Sequence, residues 1–141
     1  MTEFFTGIKP SMALELDLNP GQKGEAAPTP HNLYQLQHAG PSWHVRRGGK
    51  LVALGGYTPV WEGRAVVWGY LGVDSGPSMP AMTRKVKAEL AALALEFPRI
   101  EAYASRNYGA ASRWLVLLGF RREGLMRKFA SGRDYFMYAR T

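Results

Sequence analysis

The sequence predicts an α/β (α+β) domain built on a mixed, mainly antiparallel twisted sheet with helices on both faces. Three observations support this fold class. Three segments rich in β-branched and aromatic residues follow one another from residue 43. A long amphipathic helix and a short apolar strand come next. A second helix then leads into two closing strands around a glycine turn.

Residues 1–42 are predicted to be an irregular part with two short helices. Residues 10–18 suit a short helix, because Pro10 fits an opening turn and Asn19-Pro20-Gly21 then ends it. Residues 19–31 hold three prolines and few apolar side chains, which predicts a loop. Thr29 before Pro30 predicts the cap and first position of a second helix, which ends at Gly40.

The next part of the chain reads as a meander of three antiparallel strands over residues 43–47, 50–57 and 64–73. Gly48-Gly49 predicts a two-residue hairpin, because glycine reaches the positive φ angles of the primed turns. The third strand is apolar on both faces, from Val66 to Leu71. We therefore expect it to lie at the centre of the sheet and to be covered on both sides.

The second half predicts a helix, a strand, a helix and a final hairpin. The first helix presents an apolar face made by Met82, Val86, Leu90, Leu93 and Phe97. Pro98 ends this helix, and residues 100–104 form a strand that pairs in parallel with residues 64–73 through the helical crossover. Residues 107–118 form the second helix, which Gly119 ends. Strands over 123–130 and 134–140 flank a turn at Ser131-Gly132-Arg133.

Composition limits the possible functions. The 141 residues fit one domain, 1–141, with its core sheet and helices in 43–141. The absence of cysteine excludes disulfides, thiolate nucleophiles and cysteine-bound metal. We expect a cytoplasmic protein, because the N-terminus lacks a secretory signal pattern and no apolar run is long enough to span a membrane. The net charge of +7 favours anionic partners.

The last helix carries a family resemblance. It starts near Asn107, ends in Leu118-Gly119-Phe120 and is followed by Arg121 and Glu123-Gly124. This pattern, with the strand order around it, resembles the GNAT (N-acetyltransferase) superfamily over residues 43–141. The Arg113-Trp114 pair and the short basic chain also look like small GNAT-like proteins carried by tailed phages, which would place the chain in the host cytoplasm.

The resemblance implies a splayed central pair of parallel strands that binds acetyl-CoA. The extended amide arm of CoA can pair with the free strand edge like an inserted strand, and a helix N-terminus can receive the pyrophosphate. The cofactor-binding residues expected on this basis are Leu71, Val73, Gly76, Ser78, Arg84 and Asn107. The sequence departs from the family's phosphate-loop pattern, since Pro77 and Pro80 lack an N–H and Asp74 repels phosphate. Asn107 has a second interpretation as a simple helix cap.

No catalytic residue can be assigned from the sequence. Family members often use a tyrosine in the last helix as the proton donor, and Leu115 stands at that place here. The other candidates for proton transfer are Tyr108, Tyr70, Ser112, Glu62, Glu101 and Tyr103. His31, His38 and His44 are too widely spaced to predict a metal site, and we expect none.

Three functions remain open at this point. The first is acetyl transfer from acetyl-CoA to an amine of a small molecule or protein. The second is a catalytically degenerate GNAT-like module that binds a host or partner protein. The third is nucleic-acid binding through basic residues on turns and hairpins, without a recognised nucleic-acid motif. They are Arg46, Arg47, Lys50, Arg121, Arg122, Arg127, Lys128 and Arg133. The final hairpin also offers an edge strand with which a second copy can pair as a homodimer.

Overall fold

A computed structural model describes residues 1–23 and 27–141. Seven strands form one sheet in the order β1-β2-β3-β4-β5-β7-β6. The strands are β1 (Thr2–Thr6), β2 (Ser42–Arg47), β3 (Lys50–Trp61), β4 (Arg64–Leu71), β5 (Arg99–Ser105), β6 (Arg121–Ala130) and β7 (Arg133–Arg140). The helices are α1 (Met12–Glu15), α2 (Pro20–Lys23), α3 (Pro30–Ala39), α4 (Met79–Leu93) and α5 (Gly109–Leu117).

The predicted order of elements from residue 43 is confirmed. The turn at Gly48 and Gly49 has positive φ angles of 57° and 82°, as the primed hairpin requires. Every neighbouring pair of strands is antiparallel except β4 and β5. The strand β4 is the fourth of the seven in the sheet, so its predicted central position is also confirmed. The second helix begins at Gly109 instead of residue 107.

The N-terminal part is more regular than predicted. Residues Thr2–Thr6 form the edge strand β1, which pairs antiparallel with β2. The expectation of an end signal at Asn19-Pro20-Gly21 was wrong. These residues begin α2, since the Asn19 side chain accepts a 2.9 Å hydrogen bond from the Gly21 N–H. An asparagine cap followed by proline is a helix start as readily as a stop.

The helices cover both faces of the sheet. On one face, α4 and α5 pack over Ala65, Ile100, Ala102 and Tyr138. On the other face, α1 and α3 bury Met12, Leu16 and Leu33 against Leu51 and Leu54 of β3. Thr29 caps α3 as predicted, with its hydroxyl accepting from the Asn32 N–H at 3.1 Å.

The parallel pair at the centre of the sheet is short. Only Arg64, Ala65 and Val66 of β4 pair with β5, opposite Arg99, Ile100 and Glu101 respectively. Beyond this point both strands continue without pairing with each other, to Leu71 and Ser105. The expected splay is therefore present, and it leaves the second half of β4 with an edge free of β5.

Candidate active site

The splay opens into a cavity of about 530 Å³ between the sheet and helices α4 and α5. Its walls are mainly apolar and include Trp43, Met82, Val86, Leu90 and Trp114. Two glycines that face each other across β3 and β4, Gly55 and Gly69, form part of its floor. Because neither has a side chain, the sheet leaves room for a ligand to lie close to the backbone.

The paired segment of β4 and β5, residues 64–66 and 99–101, is the closed end of the splay. A network of charges around Glu101 holds it together. This carboxylate is 3% exposed and accepts two 2.7 Å hydrogen bonds from Arg64 of β4. It also accepts from Arg99 at 2.6 Å and from the Tyr103 hydroxyl at 3.0 Å. Arg99 in turn bonds Glu123 of β6 at 2.5 Å. One network therefore ties together three strands at the last paired position of β4 and β5.

The network fixes the charge on Glu101. Its hydrogen bonds with Arg64, and to a smaller extent those with Arg99 and Tyr103, outweigh its burial and lower the pKa of the Glu101 carboxyl to about 2. A carboxylate with so low a pKa and both oxygens already accepting is a weak proton acceptor. Burial and the bond to Glu101 raise the pKa of Tyr103, so its phenol stays protonated. In this geometry Glu101 therefore serves as a clamp between strands. From the sequence it was one of the candidates for proton transfer.

The open end of the splay is paired by a segment of the chain itself, residues 17–22, which we call the strap. The Gln22 side chain accepts from the Leu71 N–H at 2.8 Å and donates to the Gly69 carbonyl at 3.1 Å. The Asn19 N–H donates to the Leu71 carbonyl, and the Val73 N–H donates to the Asp17 carbonyl, both at 2.8 Å. The strap therefore lies along β4 as a partial extra strand.

The strap also crosses the cleft to the start of α5. A Cβ built on Gly21 would lie 2.5 Å from the Tyr108 ring, so the α2 backbone lies directly against this aromatic side chain. Tyr108 lines the cavity, and burial raises the pKa of its phenol. Only glycine permits this approach, which explains the residue type at position 21.

The turn before α4 has few groups to offer a pyrophosphate. Pro77 and Pro80 lack N–H groups, and the Ser78 N–H already donates to the Ser75 carbonyl at 2.9 Å. The Ser78 side chain is buried and accepts from the Thr2 hydroxyl at 2.9 Å, facing β1 instead of solvent. The backbone at Gly76 is exposed and faces open space. Asp74 forms an ion pair with Lys50, which reduces its repulsion of anions.

The remaining predicted cofactor contacts lie around the cleft at different distances from it. Leu71 lines the cavity, whereas Val73 follows the strand end and is 41% exposed. Arg84 is exposed on α4, near the turn. Asn107 is exposed, and its side chain does not cap α5, whose cap position is Tyr108. The cap interpretation of Asn107 was therefore wrong, while its role as a cofactor contact stays a prediction.

The catalytic candidates divide into those that line the cavity and those that lie elsewhere in the fold. Leu115 lines the cavity at the place where the resemblance implies a tyrosine. Tyr70 packs with the core on the other face of the sheet, and Ser112 borders a separate small depression beside Arg122. Glu62 is exposed in the turn after β3. Of these candidates, Tyr103 and Tyr108 are the two that line the cavity with a phenol.

Sequence reasoning missed Gln22 and Trp68. The buried indole N–H of Trp68 has no hydrogen-bond partner in the described part of the chain, and the ring packs beside Tyr70 on the face of the sheet that α1 and α3 cover. Gln22 stood in a segment predicted as a loop, although the cap and proline before it signal a helix start. Gly69 within an otherwise apolar strand was the available sign that a backbone or ligand approaches β4 closely.

An acyl-CoA arm fits part of this site. The glycine floor and the apolar walls suit an extended ligand, and the edge of β4 beside them can pair with amide groups. The residues able to hold it are Gly69 and Leu71 along the cleft, with Arg84 near the phosphate end. The turn before α4 suits the pyrophosphate less well, because its prolines and internal hydrogen bonds remove donors.

Several basic residues considered for nucleic-acid binding are engaged within the fold. Arg46 forms an ion pair with Glu15 at 2.5 Å. Arg122 lies 3.6 Å from the ring centre of Phe136 and donates to the Tyr138 hydroxyl. These contacts make them parts of the surface packing, which weakens the case for a dedicated nucleic-acid site.

Across residues 1–23 and 27–141, no group of three His, Asp or Glu side chains is arranged to hold a metal ion. No helix in this described part of the chain has both the length and the apolar content needed to cross a membrane.

The comparisons with known proteins point to one fold. No family model matches the sequence, and no curated protein matches it. Among solved structures, the chain is similar to the ribosomal-protein-S18-alanine N-acetyltransferase from Escherichia coli. The identity is 16%, the TM-score is 0.73, and the match covers 99% of this chain and 93% of that one.

Two similar structures contain the cofactor. A ribosomal L7/L12 alpha-N-protein acetyltransferase in complex with coenzyme A matches at 13% identity and a TM-score of 0.74, covering 99% and 93% of the two chains. A GNAT family acetyltransferase from Elizabethkingia anophelis with acetyl-CoA bound matches at 9% identity and a TM-score of 0.71, covering 99% and 97%. The mixed seven-stranded sheet with its splayed parallel pair is therefore the fold of the GNAT acetyltransferases.

Proposed function

We propose that this chain is an acyltransferase that moves an acetyl group from acetyl-CoA to an amine. The observation that carries the proposal is the parting of β4 and β5 after Val66, which leaves a strand edge beside a 530 Å³ cavity. An extended amide arm can pair with such an edge. Neighbours of the same fold that contain CoA or acetyl-CoA support this choice of donor.

The chain's own residues supply what acyl transfer requires. Acetyl-CoA, when bound, supplies an activated thioester carbonyl. Gly69 contributes a backbone N–H on the cavity side of β4, because the N–H and carbonyl of a strand residue point to the same side and its carbonyl bonds Gln22 there. An N–H in that position can stabilise negative charge that develops on an acyl oxygen. The apolar walls limit the water around this N–H once a ligand fills the cavity.

Tyr108 is the proton donor that this geometry favours. The phenol is protonated at neutral pH, since burial raises its pKa further above neutral, and it borders the cavity beside the strap. Tyr103 also lines the cavity, but its hydroxyl already donates to Glu101. The amine acceptor is either a small molecule or the N-terminus of a protein, the latter in line with the ribosomal-protein acetyltransferases among the neighbours.

A second function, a catalytically degenerate module that binds a partner protein, is favoured by one specific set of observations. The strap already pairs with β4, the turn before α4 lacks donors, and Leu115 stands where the resemblance implies a tyrosine. Such a module keeps the fold without acyl transfer. The resemblance to phage-carried proteins remains a prediction from the sequence.

Thermal unfolding and thiol release together separate the two functions. We expect millimolar acetyl-CoA and CoA, but not ATP, to raise the melting temperature by several degrees, since a ligand at 100 times its Kd adds about 2.7 kcal/mol. Release of free thiol with a panel of amines then tests catalysis. Tyr108→Phe should retain the thermal shift and lose most of the thiol release, with Tyr34→Phe, an exposed tyrosine on α3, as the matched control. Absence of any shift contradicts the transferase.

A further inference from the structure

The strap occupies the part of β4 that a bound amide arm needs. Between the splay point at Val66 and the turn before α4, the cavity-side backbone groups of β4 belong to Val67, Gly69 and Leu71, followed by the N–H of Val73. Four of these groups are already bonded: the Gly69 carbonyl, both groups of Leu71 and the Val73 N–H. The strap supplies every one of these partners.

Gln22 is the weak point of this pairing. Asp17 and Asn19 bond to β4 through their backbones, as in an ordinary strand pair. Gln22 bonds through its side-chain amide, which offers one acceptor and one donor at about the spacing of a peptide group. Its bond to the Gly69 carbonyl is exposed to solvent, so water can compete for it. A side chain can rotate away from the strand edge without moving the backbone.

We propose that Gln22 is a built-in substitute for the amide arm and that it sets the affinity of the cleft for acyl-CoA by competing for Gly69 and Leu71. This inference rests on the proposed function, since it concerns the same cofactor. Binding of CoA displaces the Gln22 side chain and exchanges its two hydrogen bonds for bonds to the ligand. The wild-type chain therefore binds CoA less tightly than a chain without the Gln22 side chain. The difference is the free energy of the two Gln22 hydrogen bonds that CoA must displace.

The test measures CoA binding by calorimetry to the wild-type chain and three variants. Gln22→Ala removes both side-chain bonds, and Gln22→Glu keeps the acceptor for Leu71 but removes the donor to Gly69. The matched control is Gln37→Ala, because Gln37 also donates from its side chain to a backbone carbonyl, that of Ile8 at 3.0 Å, but away from β4. We expect Gln22→Ala to bind CoA roughly fivefold to tenfold more tightly than wild type, Gln22→Glu to lie between them, and Gln37→Ala to match wild type.

A second measurement shows whether Gln22 holds β4 in the free protein. Hydrogen exchange at the Leu71 amide should be several-fold faster in Gln22→Ala than in wild type, and unchanged in Gln37→Ala. Equal or weaker CoA binding by Gln22→Ala, with wild type still binding CoA, overturns this proposal and leaves the transferase standing. Failure of all four proteins to bind millimolar CoA contradicts the transferase itself and, with it, the competition.

Discussion

The two ends of the parallel strand pair are held by opposite kinds of contact. At the closed end, Glu101 is buried and bonded by two arginines and a tyrosine, which ties β4, β5 and β6 into one unit. At the open end, β4 and β5 do not pair, and the partner of β4 is the strap, which bonds through the backbones of Asp17 and Asn19 and the side chain of Gln22.

The difference shows how one sheet is both rigid and able to admit a ligand. A buried carboxylate cannot leave its arginines without a large loss, because the remaining charges would be unpaired. A neutral amide on a partly exposed edge can leave at a net cost of about 1 kcal/mol per hydrogen bond. The closed end therefore fixes the position at which β4 and β5 part. At the open end, either the strap or a ligand can pair with β4.

The largest expected effect comes from breaking the closed end. Glu101→Gln keeps the shape of the side chain but removes the charge that faces Arg64 and Arg99, so we expect a loss of about 3 kcal/mol in the free energy of unfolding. Urea unfolding at pH 7 measures it. Glu123→Gln is the matched control, because Glu123 is 41% exposed and bonds Arg99 at the surface, and it should cost clearly less than Glu101→Gln.

Glu101→Gln should also change how the free energy of unfolding depends on pH in acid. The pKa of Glu101 is lowered from 4.5 to about 2 in the folded chain, so the stability it contributes is present above about pH 4.5 and is lost as the pH falls toward 2. Wild type should lose this contribution across that window, and Glu101→Gln should show a correspondingly flatter acid limb. If the two proteins lose stability in parallel, Glu101 is not the clamp described here.

A smaller and more selective effect comes from filling the open end. A Cβ on Gly69 would be 3.6 Å from the Leu54 carbonyl oxygen, an ordinary contact, so Gly69→Val fits the strand and places two methyl groups at the cavity wall. We expect stability to change by less than about 1 kcal/mol and CoA binding to weaken about tenfold or more. Calorimetry and urea unfolding report the two quantities separately.

The control for this variant is another strand glycine, Gly124. It lies on β6, far along the sheet from β4, and a Cβ added there would meet no atom within 4 Å beyond its chain neighbours. Gly124→Val should leave CoA binding unchanged. Unaltered CoA binding by Gly69→Val would mean that the ligand does not use this cavity.

The sequence predicted the part of the fold that local patterns determine. Alternating apolar residues, Gly48-Gly49 and the Thr29 cap each indicate one local structure, and the crossover rule then placed β4 beside β5. The strand β1 was missed because Thr2–Thr6 is a short edge strand whose partner lies far along the chain. Its pairing depends on tertiary contacts that residue types in one segment do not reveal.

The candidate site was predictable only in outline. The splay followed from the family resemblance, but the occupants of its two ends did not. Glu101 looks like any strand carboxylate until the fold places Arg64 beside it, 37 residues away in sequence. Gln22 reaches Leu71 across 49 residues, so no local pattern signals it. Long-range polar contacts of this kind are set by the packing of the helices on the sheet.

The most direct test of the account is the exchange rate of the Gly69 amide with and without saturating CoA, measured by NMR. In the free protein this N–H faces the cleft, and we expect it to exchange much faster than the amides of the paired segment at Arg64–Val66. Saturating CoA should slow the Gly69 amide roughly tenfold or more and leave the closed end unchanged. A Gly69 amide that exchanges at the same rate under CoA saturation would contradict the claim that the open end of β4 is the ligand-binding edge.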